Sequence, residues 1–153
     1  MAKVRGFEVA KGFEDKGVNL PKRATKYSAG YDFEAVEDIV VPSFKPGMNP
    51  TLIKTGVKAY MQDDEMLCIY NRSSNPKKKG LILANGVGII DKDYYGNPDT
   101  DGMIMFAFYN NGPEDVLIKK GERIGQGIFQ KYFIADGDNA EGERIGGLGS
   151  TNR

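Results

Sequence analysis

Residues 85–96 read Asn-Gly-Val-Gly-Ile-Ile-Asp-Lys-Asp-Tyr-Tyr-Gly, an apolar run interrupted by glycines and followed by a polar and aromatic cluster that closes at Gly96. Asn85-Gly86 is the strongest short hairpin signal, because both central residues of a primed two-residue turn need φ > 0. The expectation is a narrow β-finger whose second arm, Val87 to Asp91, ends on carboxylates. In an extended chain Asp91 and Asp93 share one face and Lys92 takes the other. A carboxylate, a backbone-lined hairpin and a phenol in one stretch suit a small-molecule site. The plainer alternative is a surface hairpin with a solvated acidic end.

Working outward from this stretch, short apolar runs recur between Gly and Pro punctuation. Residues 4–10 read as a first strand, and 11–28 as an irregular polar connection. Tyr31, Phe33 and Ala35 alternate with Asp32 and Glu34, as in a half-buried strand. Residues 51–61 and 65–70 read as two strands joined by Gln62-Asp63-Asp64, and the second runs into Asn71-Arg72-Ser73-Ser74. Lys77-Lys78-Lys79 reads as a solvated turn before the strand Leu81 to Ala84. Asn97 to Gly102 is a turn-forming insert, followed by strands over 103–109, 116–118 and 124–133. No window shows convincing 3.6-residue periodicity, so the expected fold is an all-β sandwich or barrel. From Ala135 the chain is glycine-rich and acidic, with too little apolar content to fold alone.

The composition narrows the chemistry. At 153 residues the chain is most simply one domain. Its 21 basic and 21 acidic residues cancel, giving no electrostatic case for nucleic acid or an anionic membrane. The one cysteine, Cys68, forms no internal disulfide and reads as a buried small hydrophobe, which favours a reducing, cytoplasmic setting. The N-terminal residues lack the apolar core of a signal peptide, and no run reaches membrane-spanning length. There is no histidine. General base work therefore falls to Asp, Glu, Lys or Tyr, and any metal should be a hard, oxygen-liganded cation such as Mg²⁺.

Five stretches, in order, resemble the motifs of the trimeric dUTP pyrophosphatases (dUTPases). They are Ala29-Gly30-Tyr31-Asp32-Phe33-Glu34-Ala35, Arg72-Ser73-Ser74, Asn85 through Gly96, Gly121-Glu122-Arg123-Ile124-Gly125-Gln126, and Arg144 with Gly146-Gly147-Leu148-Gly149-Ser150-Thr151. Each is weak alone; five in order at compatible spacing are a strong signal. The resemblance implies a jelly-roll-like β subunit spanning 1–134, a flexible arm over 135–153, and a homotrimer with shared active sites. In the family the third motif of one chain faces the first, second and fourth of a neighbour, while the fifth closes over the site from the third chain. The implied reaction is hydrolysis of dUTP to dUMP and pyrophosphate with Mg²⁺ on the triphosphate, which keeps uracil out of DNA and supplies dUMP for thymidylate synthesis.

The resemblance also implies roles. Asp91 positions and deprotonates the water that attacks the α-phosphorus. Asn85, with backbone groups around Gly88 to Ile90, reads uracil, and Tyr94 packs under the sugar in competition with Tyr95. Arg72, Ser73, Ser74 and Gln126 cradle the phosphates with a charged fork and compact donors. Asp32 helps organise the metal through water, and Arg123 makes a structural ion pair. Arg144, Gly149, Ser150 and Thr151 close on the nucleotide from the arm. The nearest rival is a dCTP deaminase of the same fold, but no stretch matches the glutamate-bearing segment that chemistry needs. A nucleotide-switched regulatory protein is a rival of another class.

The chain departs from the family at Leu148, where the usual arm carries a phenylalanine that stacks on uracil. The arm is also shorter than usual and the 97–102 insert is not the standard continuation, features that resemble a divergent branch from phages and Gram-positive hosts. Leucine covers a base without offering an aromatic face. Leu148→Phe is therefore expected to tighten binding of a non-hydrolysable dUTP analogue. Unchanged or weaker binding in a titration would mean that another group already covers the base or that the arm closes differently.

Overall fold

The computed structural model describes residues 2–147. Twelve strands carry the fold: β1 (Gly6–Val9), β2 (Lys22–Arg23), β3 (Tyr31–Glu34), β4 (Ile39–Val41), β5 (Thr51–Lys54), β6 (Val57–Tyr60), β7 (Glu65–Asn71), β8 (Leu81–Leu83), β9 (Gly88–Ile90), β10 (Met105–Asn110), β11 (Val116–Ile118) and β12 (Arg123–Lys131). Their ladders are antiparallel, in a five-stranded sheet β2-β3-β12-β7-β9, a three-stranded sheet β5-β10-β8, and the pairs β1-β6 and β4-β11. The chain is thus nearly all-β, as its spacing of short strands predicts. Among the described residues no helix is long and apolar enough to cross a membrane.

The core forms where the inward faces of the two larger sheets meet. Phe33, Leu67 and Ile69 from the five-stranded sheet share a cluster with Ile53, Phe106 and Phe108 from the three-stranded one. The rings of Phe33 and Phe106 lie 5.4 Å apart across this interface. Full burial of one such side chain contributes about 1.5–3 kcal/mol, and Phe33, Phe106 and Phe108 are all buried. The alternation along β10 is clean, with Phe106, Phe108 and Asn110 buried and Met105, Ala107 and Tyr109 only half-buried on the other face. Cys68 is buried as a free thiol.

Three sequence expectations are corrected. The run 51–61 is two strands, because the chain breaks at Thr55-Gly56. Gly56 adopts φ 72°, and Thr55 folds inward so that its hydroxyl donates to the Ile104 carbonyl at 2.7 Å. As a result β5 pairs with β10 while β6 pairs with β1. The central finger is not a primed hairpin either. Only Gly86 of the Asn-Gly pair has positive φ, and its N–H closes a four-residue turn onto the Leu83 carbonyl at 3.0 Å. The two arms then diverge, β8 onto β10 and β9 onto β7. Tertiary pairing has overridden the local turn preference. Lastly, the triple lysine is not a plain turn but part of a one-turn helix α1 (Asn75–Lys79), with Pro76 in its first turn and Gly80 as a left-handed cap.

The N-terminal segment is tied down by charge. The Arg5 guanidinium donates to Glu65 Oε2 at 2.7 Å, and the Gln62 N–H donates to Oε1 at 2.9 Å. Burial alone would disfavour the Glu65 charge, but these bonds outweigh it and hold its pKa below the usual range. A depressed carboxylate pKa stabilises the fold above the unfolded value and is lost as pH falls through the folded value. Glu65→Gln is expected to cost about 1–2 kcal/mol near neutral pH, with the gap closing below about pH 4. Urea unfolding at both pH values checks this, and a gap that persists at low pH would assign the effect to packing instead.

Candidate active site

The residues singled out in the sequence fall into two groups. Asn85, Gly88, Ile90, Asp91, Tyr94 and Arg144 line one cavity of about 700 Å³. Its remaining wall comes from the half-buried face of β10, through Met105, Ala107 and Tyr109, together with Leu52 and Ile69. These lining residues were not singled out in advance, although the period-2 alternation of 105–110 marks a second, non-core face. As the last strand of its sheet, β9 leaves one backbone edge outside any described ladder. Such an edge offers amide and carbonyl groups in the manner of a base-pairing partner. Gly88 also has to be small, since a Cβ there would lie 2.5 Å from Ile69.

Asp91 sits where β9 ends. The next residues, Lys92–Tyr94, form a 3₁₀ turn rather than the extended chain expected. Asp91 and Asp93 still converge, because the Arg144 Nη1 donates to Asp91 Oδ2 and Asp93 Oδ1, each at 3.1 Å. Lys92 turns away to pair with Asp63 at 2.5 Å, although the turn rather than strand alternation directs it. The Arg144 side chain is 12% exposed against 53% for Asp91, so the guanidinium lies beneath the carboxylates rather than in solvent. It also packs 5.8 Å from the Tyr94 ring centre.

Of the two candidate phenols, Tyr94 is the buried one. Its hydroxyl donates to the Met103 carbonyl at 2.7 Å and accepts from Thr100 Oγ1 at 3.0 Å. Tyr95 is 40% exposed and bonds outward to Glu8. The two point in different directions, and Tyr94 is the ring that lines the cavity.

The second group surrounds a shallower hollow of about 480 Å³, lined by Arg72, Ser73 and Gln126 with Tyr70, Asn71, Pro76 and Ile128. Gln126 lies opposite Tyr70 on β7 and opposite Asp32 on β3. Its Nε2 donates to the Asn71 carbonyl at 3.1 Å, which leaves its oxygen toward Gly30. A Cβ at Gly30 would lie 2.1 Å from that oxygen, so glycine is what lets the amide occupy this place. Asp32 stands 3.9 Å from Arg123 Nη1, giving Arg123 the ion pair expected of it. Ser74 marks the start of α1 without a side-chain capping bond. The expectations for Leu148, Gly149, Ser150 and Thr151 lie outside the described residues.

Among the described residues, no three acidic or thiol side chains cluster to hold a metal. The two hollows do not merge within one chain. Ile69 lines the first and its neighbour Tyr70 the second, and no residue lines both.

A model of the dUTPase family matches residues 16–145. The deoxyuridine 5′-triphosphate nucleotidohydrolase of Lactococcus lactis is 54% identical, over 97% of this chain and 98% of its own. The enzyme of the same name from Desulfitobacterium hafniense is 34% identical, over 90% of each chain. The crystal structure of the Streptococcus mutans dUTPase superposes with a TM-score of 0.80 at 43% identity, covering 86% of this chain and 99% of the other. Sequence, fold and the order of the motif-bearing elements agree: the chain belongs to the dUTPase family.

Proposed function

We propose that this chain hydrolyses dUTP to dUMP and pyrophosphate, by attack of water on the α-phosphorus. The observation that carries the reading is the division of labour between the two hollows. One presents an edge strand, an amide, a buried phenol and a carboxylate. The other presents an arginine, a serine and a glutamine. Bases and sugars suit the first set, phosphate oxygens the second.

Uracil would be read by Asn85 and the free edge of β9. Cytosine would be rejected because its donor and acceptor would meet like groups in a closed pocket, leaving them unpaired. A tight fit around the base would exclude the thymine methyl. Tyr94 carries the deoxyribose and fills the volume a 2′-hydroxyl needs. Asp91 takes a proton from the attacking water. Arg144 meets only Oδ2 of that carboxylate, and the arm over residues 135–153 would bring Arg144, Leu148, Gly149, Ser150 and Thr151 to a nucleotide. Mg²⁺ bound to the triphosphate would neutralise charge on the leaving group, with Asp32 holding one of its waters.

Because the two hollows are separate and share no lining residue, a complete site is read as drawn from more than one chain. A homotrimer in which each cavity meets a neighbour's phosphate cradle satisfies this. The reading is that of a soluble, cytoplasmic enzyme whose partners are dUTP, its products and two further copies of itself.

The test is pyrophosphate release from dUTP, dCTP, dTTP and UTP, with Mg²⁺ or with EDTA. Turnover of dUTP alone, dependent on the metal and reduced at least about 100-fold by Asp91→Asn, is expected. Ammonia release from dCTP would move the chain to deaminase chemistry. Tight dUTP binding without turnover would make a nucleotide-dependent switch the better account. Gly30→Ala should displace Gln126 and raise the KM for dUTP with little change in melting temperature; an unchanged KM would remove Gln126 from the phosphate cradle.

A further inference from the structure

The insert Asn97–Gly102 is built far more tightly than a surface connection needs to be. A single directed chain of hydrogen bonds runs through it to the Tyr94 hydroxyl. The Gly102 N–H donates to Thr100 Oγ1 at 3.2 Å, Thr100 Oγ1 donates to Tyr94 Oη at 3.0 Å, and Tyr94 donates to the Met103 carbonyl at 2.7 Å. Thr100 is itself held by Asn97, whose Oδ1 accepts from the Thr100 N–H at 3.3 Å and from the Asp99 N–H at 2.9 Å. The Asn97 N–H in turn donates to the Tyr94 carbonyl at 3.1 Å. The loop therefore grips both ends of Tyr94, its backbone and its phenol.

The outer side of the loop is pinned as well. Asp101 has φ 57°, the one non-glycine residue with positive φ among those described. That conformation is unfavourable for an aspartate and persists only where neighbours enforce it. Here Asp101 Oδ2 accepts from Lys58 Nζ at 2.7 Å and from the Lys11 N–H at 2.8 Å. The Lys58 ammonium also lies 4.7 Å from the centre of the Tyr95 ring, whose hydroxyl is bonded to Glu8. Lys58 belongs to β6 and Glu8 to β1, so the pin is anchored in a regular ladder. Gly102 completes the fit, since at φ 86° a Cβ would lie 2.7 Å from the Tyr94 carbonyl oxygen.

We infer that Asn97–Gly102 is a bracket that fixes the Tyr94 ring, and that Thr100 and the Lys58–Asp101 pair are positioning residues for discrimination between deoxyribose and ribose. The inference rests on the proposed role of Tyr94 beneath the sugar. A ring excludes a 2′-hydroxyl only while it cannot yield, and holding a site to within about 0.5 Å requires locked supporting contacts. A phenol free to tilt would still carry a deoxynucleotide but would make room for the extra oxygen. The bracket is thus expected to act on UTP far more than on dUTP.

The experiment compares kcat/KM for dUTP and UTP across four variants of the full chain. Thr100→Val keeps the shape and removes the hydroxyl. It is expected to lower the dUTP-to-UTP preference about tenfold while kcat/KM for dUTP falls less than about threefold, the scale of one lost hydrogen bond. Thr100→Ser should restore the preference. Lys58→Met loosens the bracket from its far side without touching Tyr94, and should lower the preference in the same direction even if Thr100→Val folds poorly. Tyr94→Ala is the control for the underlying reading. If Tyr94→Ala abolishes the preference while Thr100→Val and Lys58→Met leave it intact, the bracket is overturned and the sugar platform stands. Equal losses on both substrates would likewise reduce the insert to a stabilising loop. If Tyr94→Ala leaves the preference unchanged, the platform reading fails and the inference falls with it.

Discussion

Side chains alternate across a strand, and this constraint decides what one copy of the chain can do. Ile69 and Tyr70 are neighbours in β7, yet one lines the cavity around Asp91 and the other the hollow around Arg72. The sheet that orders both groups of residues also separates them, because successive positions face opposite ways. The β7 strand is therefore a shared backbone for two half-sites. Its pairing with β9 leaves the outer edge of β9 open beside Asn85, and its pairing with β12 sets Gln126. Any shift of register by one residue would exchange the faces and dismantle both.

The carboxylate chemistry depends on a second balance. Asp91 and Asp93 lie close enough to share one guanidinium, and Arg144 satisfies them from below. Only one oxygen of each carboxylate meets the guanidinium, and Asp91 stays half exposed beside it. The chain has no histidine, so the base proposed here is a carboxylate rather than an imidazole.

Local chemistry was legible in the sequence where side chain and spacing alone decide the outcome. The motif residues, the buried Cys68, the strand alternation around Phe33 and the nearly all-β class belong to this kind. What was not legible depends on partners distant in the chain. Asn85-Gly86 signals a hairpin, but β8 and β9 each find a better partner elsewhere, and the turn adapts. The break at Gly56 is hidden in an unbroken apolar run because its cause, the Ile104 carbonyl, lies 49 residues from Thr55. The walls of the cavity on β10 were read as strand but not as site, since nothing local says which face meets a ligand. The same holds for the insert after Tyr94, whose turn residues were plain while their grip on the phenol was not.

The central claim is that a complete site draws Asp91 and Arg72 from different copies of the chain. It is tested most directly by complementation between two inactive variants, Asp91→Asn and Arg72→Ala, co-expressed and purified as mixed assemblies. If each site takes these residues from two chains, random mixing leaves both intact in about a quarter of the sites, and that share of wild-type activity should return. Mixed assemblies that form but stay inactive would place both residues in one chain's site and contradict the account.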